Sequence, residues 1–151
     1  GNYYLALNIL KKLNKYNKSA NDYQLYTFAP IEKPVMKQLG VNFSNVVVGP
    51  KRFWMMIGMP LELLRNPVDL FIGFNQCLPL FFKGKTIVFI LDLAFKIYPQ
   101  FFVNINKISL MTKLAIKKAN KVVAISESTK KDIVKYYNLN KKSIMVVYPG
   151  I

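Results

Sequence analysis

The chain has 151 residues, of which 52% are hydrophobic, and this composition predicts a folded domain with a sizeable core. It carries 22 basic and 7 acidic residues, for a net charge of +15. The sequence contains no apolar stretch of about 18 residues without a charge, so we expect no membrane span. Because histidine is absent and Cys77 is the single cysteine, no intrachain disulfide and no Ser-His or Cys-His pair is possible, and no metal site is expected.

The first part of the chain alternates helical and extended patterns. The predicted elements are a helix over 1–15, strands over 23–29 and 46–48, and a helix over 52–65 that is broken near residues 58–60. Residues 31–40 are predicted to be irregular, because they contain Pro34 and Gly40.

The second part has the stronger signal, a series of continuous apolar runs that each end in polar or turn residues. The predicted elements are strands over 68–74, 86–91, 122–125 and 144–148, and helices over 103–120 and 127–137 with Ser126 as the N-cap of the latter. Unbroken runs of this kind are typical of strands that are covered on both faces, as in a parallel sheet. The sequence therefore predicts one α/β domain over residues 1–151, with a Rossmann-like parallel sheet flanked by helices.

Polar and turn residues follow the predicted strands directly. In an open parallel α/β sheet, ligands bind outside the carboxyl ends of the strands, so Asp92, Ser126 and the pair Pro149-Gly150 are expected to border one crevice. Asp92 is the strongest candidate for accepting hydrogen bonds from ligand hydroxyl groups, and its alternative role is to cap the turn that follows it. Ser126 has a structural role as an N-cap, and the free N–H groups after it suit an anionic or polyhydroxyl ligand.

Several segments, taken together in their order and spacing, carry a family resemblance. They are residues 1–4 (GNYY), 69–75 (DLFIGFN), 78–79 (LP), 90–95 (ILDLAF), 98–101 (YPQF), 119–130 (ANKVVAISESTK) and 146–150 (VVYPG). The set resembles the N-terminal half of the family 4 glycosyltransferases, which have the two-domain GT-B fold. The chain begins at a helix with no strand before it and stops directly after a strand and turn, so we expect it to be truncated at both ends.

The resemblance implies an enzyme that moves a sugar from a nucleotide-sugar to a glycan, polysaccharide or lipid-linked acceptor, with retention at the anomeric carbon. In such enzymes the N-terminal domain mostly holds the acceptor, and the C-terminal domain, which would follow Ile151, grips the donor. The chain alone is therefore expected to be inactive and to bind no cofactor or metal, although the full-length protein would use a nucleotide-sugar. A cytoplasmic location is expected, with the inner face of the membrane as an alternative.

The resemblance also implies roles for individual residues. Asp92 would be catalytic and Pro149 and Gly150 would begin the interdomain hinge, while acceptor or donor binding falls to Gly1, Asn2, Asn75, Gln76, Phe95, Ser126, Glu127 and Lys130. The equal alternative for Asn75 and Gln76 is a loop role. For Phe95, Tyr98 and Phe101, core or lid packing is favoured over stacking on a sugar. Many members of the family have histidine where this chain has Leu91. A leucine side chain, unlike histidine, cannot form a hydrogen bond.

The positive charge leaves other partners open. It attracts anions such as lipid headgroups or nucleic acid, although codon bias is an equal explanation because only Arg52 and Arg65 are arginine. A peripheral contact with an anionic membrane through Tyr3-Tyr4 and residues 52–56 is one alternative, and ordinary packing of those residues is the other. A nucleic-acid-binding module is disfavoured because the aromatic residues lie within apolar runs. A non-catalytic GT-B-like partner remains the third hypothesis.

Overall fold

The computed structural model describes residues 2–17, 21–49, 51–79 and 81–148, apart from the side chains of Asn2 and Lys51. The described residues divide into two compact units, one within residues 2–65 and the other within residues 66–148. No helix in the described ranges is long and apolar enough to cross a membrane.

The first unit has a two-stranded parallel sheet. Its elements are α1 (Asn2–Lys15), β1 (Tyr23–Thr27), α2 (Lys33–Leu39), β2 (Phe43–Val47) and α3 (Met59–Arg65), with a 3-10 turn at Lys51–Phe53 and a π-helical turn at Trp54–Gly58. Strands β1 and β2 pair so that Tyr23 lies opposite Phe43, and these two rings stack with centroids 4.6 Å apart. The helix predicted over 52–65 was expected to break near residues 58–60. Instead the π-helical turn passes directly into α3, because Met59 has α-helical backbone angles and its N–H donates to the oxygen of Trp54, so the helix changes type there without a break.

The prediction that residues 31–40 are irregular is wrong, because α2 occupies most of that segment. Pro34 lies in the first turn of α2, where its missing N–H removes no helical hydrogen bond. Gly40 follows the last residue of α2 with a φ of 103°, a conformation that glycine adopts without strain. Proline and glycine here mark the two ends of a helix and do not interrupt it.

The second unit has a four-stranded parallel sheet. Its elements are β3 (Leu70–Gly73), β4 (Lys85–Ile90), α4 (Ala94–Ile97), α5 (Ile105–Lys118), β5 (Lys121–Ala124), α6 (Glu127–Tyr137) and β6 (Ile144–Val146), with 3-10 turns at Pro99–Phe101 and Lys141–Ser143. The strand order is β3-β4-β5-β6, and all three pairs are parallel. The α/β class, with parallel sheets flanked by helices, is thereby confirmed.

The described strands form two sheets where the sequence predicted one. An apolar run shows that a strand is covered on both faces, but it carries no information about which strand lies beside it. Strands β4 and β5 are the centre of the larger sheet, and the residues in them that are buried are Val88, Phe89, Ile90, Val122, Val123 and Ala124. Helix α5 packs through Thr112, Ala115 and Ile116.

Candidate functional site

The carboxyl edge of the larger sheet brings together polar residues from separate parts of the chain. Gln76 follows β3, Asp92 follows β4, and Ser126 follows β5. Since β3, β4 and β5 are adjacent and parallel, the residues that follow them lie at one edge. Gln76, Asp92, Ser126 and Thr129 are called the carboxyl-edge cluster below.

Gln76 connects the loop after β3 to the end of β4. Its Nε2 donates a hydrogen bond to the backbone oxygen of Asp92 at 3.1 Å. Its Oε1 is buried and accepts no hydrogen bond from the described residues. Gln76 has a φ of 54°, in the left-handed region that non-glycine residues seldom adopt. The loop is therefore held in an unusual conformation that directs Gln76 to the neighbouring strand.

Gly73 makes that loop possible. A Cβ atom at position 73 would collide with the backbone carbonyl of Cys77, because the loop folds back over the end of β3. The colliding group is backbone and cannot move aside by rotating a side chain. Only glycine fits this close approach without a shift of the loop.

Replacing Gly73 by alanine is expected to lower the free energy of unfolding by about 2 kcal/mol, because the added methyl group must displace backbone. Gly49→Ala is the matched control, since a Cβ atom there would meet no atom within 4 Å. Urea denaturation of both variants measures the difference. Equal stability of Gly73→Ala and the unaltered chain would contradict the described path of the loop.

Asp92 is exposed and has one oxygen engaged within the protein. Its Oδ1 accepts a hydrogen bond from the backbone N–H of Ala94 at 2.9 Å, which fixes the turn into α4. The structure thus shows the turn-capping role, which was the alternative prediction for this residue. Its Oδ2 accepts no hydrogen bond from the described residues. An ionised carboxylate has about four acceptor positions, so capping leaves capacity for a ligand hydroxyl group.

Ser126 is the N-cap of α6, as predicted, and its hydroxyl oxygen accepts a hydrogen bond from the backbone N–H of Thr129 at 3.0 Å. Thr129 is buried, and its Oγ1 donates to the backbone oxygen of Leu91 at 3.1 Å. Because that proton is committed to Leu91, the Ser126 hydroxyl donates to Thr129 Oγ1 across the 2.9 Å between them. This chain of hydrogen bonds fixes the start of α6 beside the end of β4.

The start of α6 presents unused backbone donors. The N–H groups of Glu127 and Ser128 make no hydrogen bond within the described part of the chain, because the first residues of a helix have no preceding turn to bond to. The dipole of this 11-residue helix adds partial positive charge at the same place. A hydroxyl or an anionic oxygen is the chemical group that these donors fit.

The other predicted site residues lie in varied surroundings. Asn75 and Glu127 are exposed, while Phe95 is buried and its ring lies edge-on to that of Phe102 at 6.4 Å. A ligand contact would require Phe95 to leave the core, so its described role is packing. Lys130 lines a shallow depression with Lys131, Val134, Lys135 and Lys141 on the flank of α6.

Some predictions fall where the structure is not described. Gly1, Pro149 and Gly150 lie outside the described residues, and Asn2 begins α1 in the first unit with its side chain not described. Their predicted roles stay predictions.

Cys77, the residue after Gln76, is not an activated nucleophile. Burial raises the pKa of the half-buried Cys77 thiol, and the nearby positive charge of Lys107 opposes this shift less strongly. The thiol is therefore protonated near neutral pH, where a nucleophile would need to be ionised. Among the described residues, no group of three or more Cys, Asp or Glu side chains is arranged to hold a metal ion.

Comparison with known proteins adds no assignment. The sequence matches no protein-family model, and no curated protein matches it.

Proposed function

We propose that this chain forms the acceptor-binding half of a retaining glycosyltransferase with the GT-B fold. The observation that carries the proposal is the meeting of Gln76, Asp92 and the start of α6 at the carboxyl edge of a parallel sheet. Ligands of open α/β sheets bind at this edge. The ordered sequence segments that resemble family 4 glycosyltransferases supply the reaction class.

The cluster offers both kinds of hydrogen-bonding group that a sugar needs. Each sugar hydroxyl donates one hydrogen bond and can accept others. Asp92 Oδ2 would accept from an acceptor hydroxyl, and the N–H groups of Glu127 and Ser128 would donate to a neighbouring oxygen. Asp92 would thereby orient the hydroxyl that attacks the donor sugar, a task of positioning that lowers the entropy cost of the reaction.

The remaining parts of the reaction belong to groups outside this cluster. Stabilising the departing nucleotide phosphate requires positive charge or N–H donors directed at its oxygens. In the family that the sequence resembles, a second domain supplies these groups and binds the nucleotide-sugar without requiring a metal from this half. We therefore expect no sugar transfer by this chain alone, and a cytoplasmic site of action belongs to the same proposal.

Leu91 favours a second candidate function, a non-catalytic GT-B-like partner that binds a saccharide without transferring it. Leu91 is buried, and its carbonyl group accepts the hydrogen bond from Thr129. Position 91 therefore offers no side-chain hydrogen bond to a transferred sugar. Both candidates require saccharide binding at the same cluster, and they differ in whether the protein transfers sugar when a donor-binding domain is present.

Ligand-observed NMR with the full chain tests the shared claim. Saturation transfer is measured to neutral oligosaccharides, to nucleotide-sugars and to a single-stranded oligonucleotide, each at low and high salt. We expect a signal from a neutral saccharide that salt leaves unchanged, whereas binding driven by charge alone falls steeply with salt.

Two outcomes would count against the proposal. One is the lack of any saccharide signal together with oligonucleotide binding that Lys131→Gln and Lys135→Gln abolish, which would assign the chain to the basic anion-binding class. The other is sugar transfer by the chain alone at ordinary enzyme rates, which would contradict the division of labour between two domains.

A further inference from the structure

Residues 97–103, here called the aromatic turn, expose an unusual concentration of apolar side chains. The exposed members are Ile97, Tyr98, Phe101, Phe102 and Val103. Phe101 and Val103 are the most exposed, at 78% and 81%. Contiguous apolar patches of this kind on a protein surface mark sites of interaction.

The aromatic turn is held by backbone hydrogen bonds, so its apolar side chains are exposed on an ordered segment. The N–H of Phe101 donates to the oxygen of Tyr98 at 3.2 Å, and the N–H of Phe102 donates to the oxygen of Pro99 at 3.1 Å. The N–H of Tyr98 donates to Ala94 at 2.7 Å, which joins the turn to α4. The ring of Phe102 packs against the buried Phe95. These contacts anchor the turn while leaving Phe101 and Val103 outward.

The charged residues that flank the aromatic turn in the sequence are all positive. Between Asp92 and Glu127 the sequence contains six lysines and no acidic residue. Lys96 and Lys107 lie on either side of the turn, at the end of α4 and in the first turn of α5. The ammonium of Lys96 lies over the ring of Tyr137, 5.9 Å from its centroid, whereas Lys107 is exposed. An occupant that combines apolar groups with negative charge therefore fits this surface.

A second copy of the chain does not meet that requirement, because it carries the same net charge of +15. An anionic lipid bilayer provides both apolar acyl chains and negatively charged headgroups. Aromatic side chains favour the interface between headgroups and acyl chains, and each lysine near an anionic surface adds to the attraction. The aromatic turn is a different surface from residues 3–4 and 52–56, for which the sequence analysis considered membrane contact as one alternative.

We propose that the aromatic turn inserts into the surface of an anionic lipid bilayer, with Phe101 and Val103 among the acyl chains and the exposed Lys107 at the headgroups. The proposal is independent of saccharide binding. It predicts a peripheral protein, whose attachment combines a small apolar insertion with electrostatic attraction.

Co-sedimentation of the full chain with vesicles tests this proposal. We expect partition onto phosphatidylcholine vesicles that contain phosphatidylglycerol to exceed partition onto pure phosphatidylcholine, and high salt to reduce the difference. The double variant Phe101→Ser, Val103→Ser should lower the partition coefficient at least about tenfold, because two apolar insertions are lost. Lys107→Gln should lower it about fivefold.

The matched control is the double variant Val41→Ser, Leu64→Ser, which removes two side chains that are 100% and 78% exposed in the first unit. Its partition should equal that of the unaltered chain, and thermal unfolding should show that both double variants remain folded. Equal partition of the Phe101→Ser, Val103→Ser variant and the unaltered chain would overturn the proposal, as would a lack of binding to the anionic vesicles. A dimer that this variant converts to a monomer, without vesicle binding, would instead assign the surface to a second copy.

Discussion

Histidine in place of Leu91 is expected to lower the free energy of unfolding by about 3–5 kcal/mol, because the change both removes packing and buries a polar ring. Leu91 is 5% exposed and directly follows β4, a central strand of the larger sheet. Its backbone carbonyl is already bonded to Thr129, so an imidazole there gains no partner from that group. The substitution restores the residue found at this position in many family 4 glycosyltransferases.

The loss of stability should deepen as the pH falls. A buried imidazole stays neutral in the folded state, so its folded pKa lies below the unfolded value of about 6.5. The unfolded state then binds more protons below that value, and stability falls with falling pH. Urea denaturation at pH 8 and at pH 5 measures both the loss and its pH dependence.

Leu70→His is the matched control, since Leu70 is exposed at the start of β3 in the same sheet. A surface substitution of this kind should change the free energy of unfolding by no more than about 0.5 kcal/mol. If Leu91→His matched this control, position 91 would face an open site. In that case the buried environment described for Leu91 would be wrong, and the argument for a non-catalytic partner would lose its support.

The second large effect is expected on ligand affinity. Asp92→Asn should weaken saccharide binding about 10- to 100-fold, because a charged acceptor contributes about 1.5–3 kcal/mol to a hydrogen bond. The unfolding free energy should change by less than about 0.5 kcal/mol, since asparagine can still accept from the N–H of Ala94 through its Oδ1. Titration calorimetry and urea denaturation measure the two quantities separately.

Asp69→Asn controls for the removal of one negative charge from the same unit. Asp69 is exposed and precedes β3, so it lies at the opposite, amino end of the sheet. Saccharide affinity should be unchanged in this variant. Equal affinity of Asp92→Asn and the unaltered chain would mean that Asp92 serves only the turn.

The strands of the larger sheet can be predicted from the sequence because strands that are buried on both faces consist of consecutive apolar residues. Val122, Val123 and Ala124 are consecutive and all buried, which requires cover on both faces and produces an unbroken apolar run. The first polar residue after such a run therefore lies at the carboxyl end of the strand. For this reason Asp92 and Ser126 could be assigned to one edge before the fold was known.

Other features depend on interactions that leave no local pattern. The division into two sheets depends on which strands pair, and α2 was missed because Pro34 and Gly40 are common both in irregular segments and at helix ends. Thr129 was missed as part of the cluster because its partner, Leu91, lies 38 residues away in the sequence. The spacing of Ser126 and Thr129, as N-cap and third helical residue, was the one available signal.

In the aromatic turn, the core packing that the sequence favours for Tyr98 and Phe101 is not found, while the lid role stays a prediction. The expectation follows from the fact that aromatic residues are usually buried at least in part. Phe95 is buried, Phe102 packs against it while remaining partly exposed, and the rings of Tyr98 and Phe101 are exposed. Composition indicates that aromatic residues seek an apolar environment, but only the fold shows whether the protein itself provides it.

The most direct test of the central claim is protein-observed NMR of the ¹⁵N-labelled chain during titration with the neutral saccharide that gives the strongest saturation transfer. We predict that amide shifts concentrate in residues 74–76, 91–94 and 126–129, the three segments that meet at the carboxyl edge of the sheet. Shifts confined to the lysine-lined depression at residues 130–141, or spread evenly over the surface, would contradict the assignment of this edge as the saccharide site.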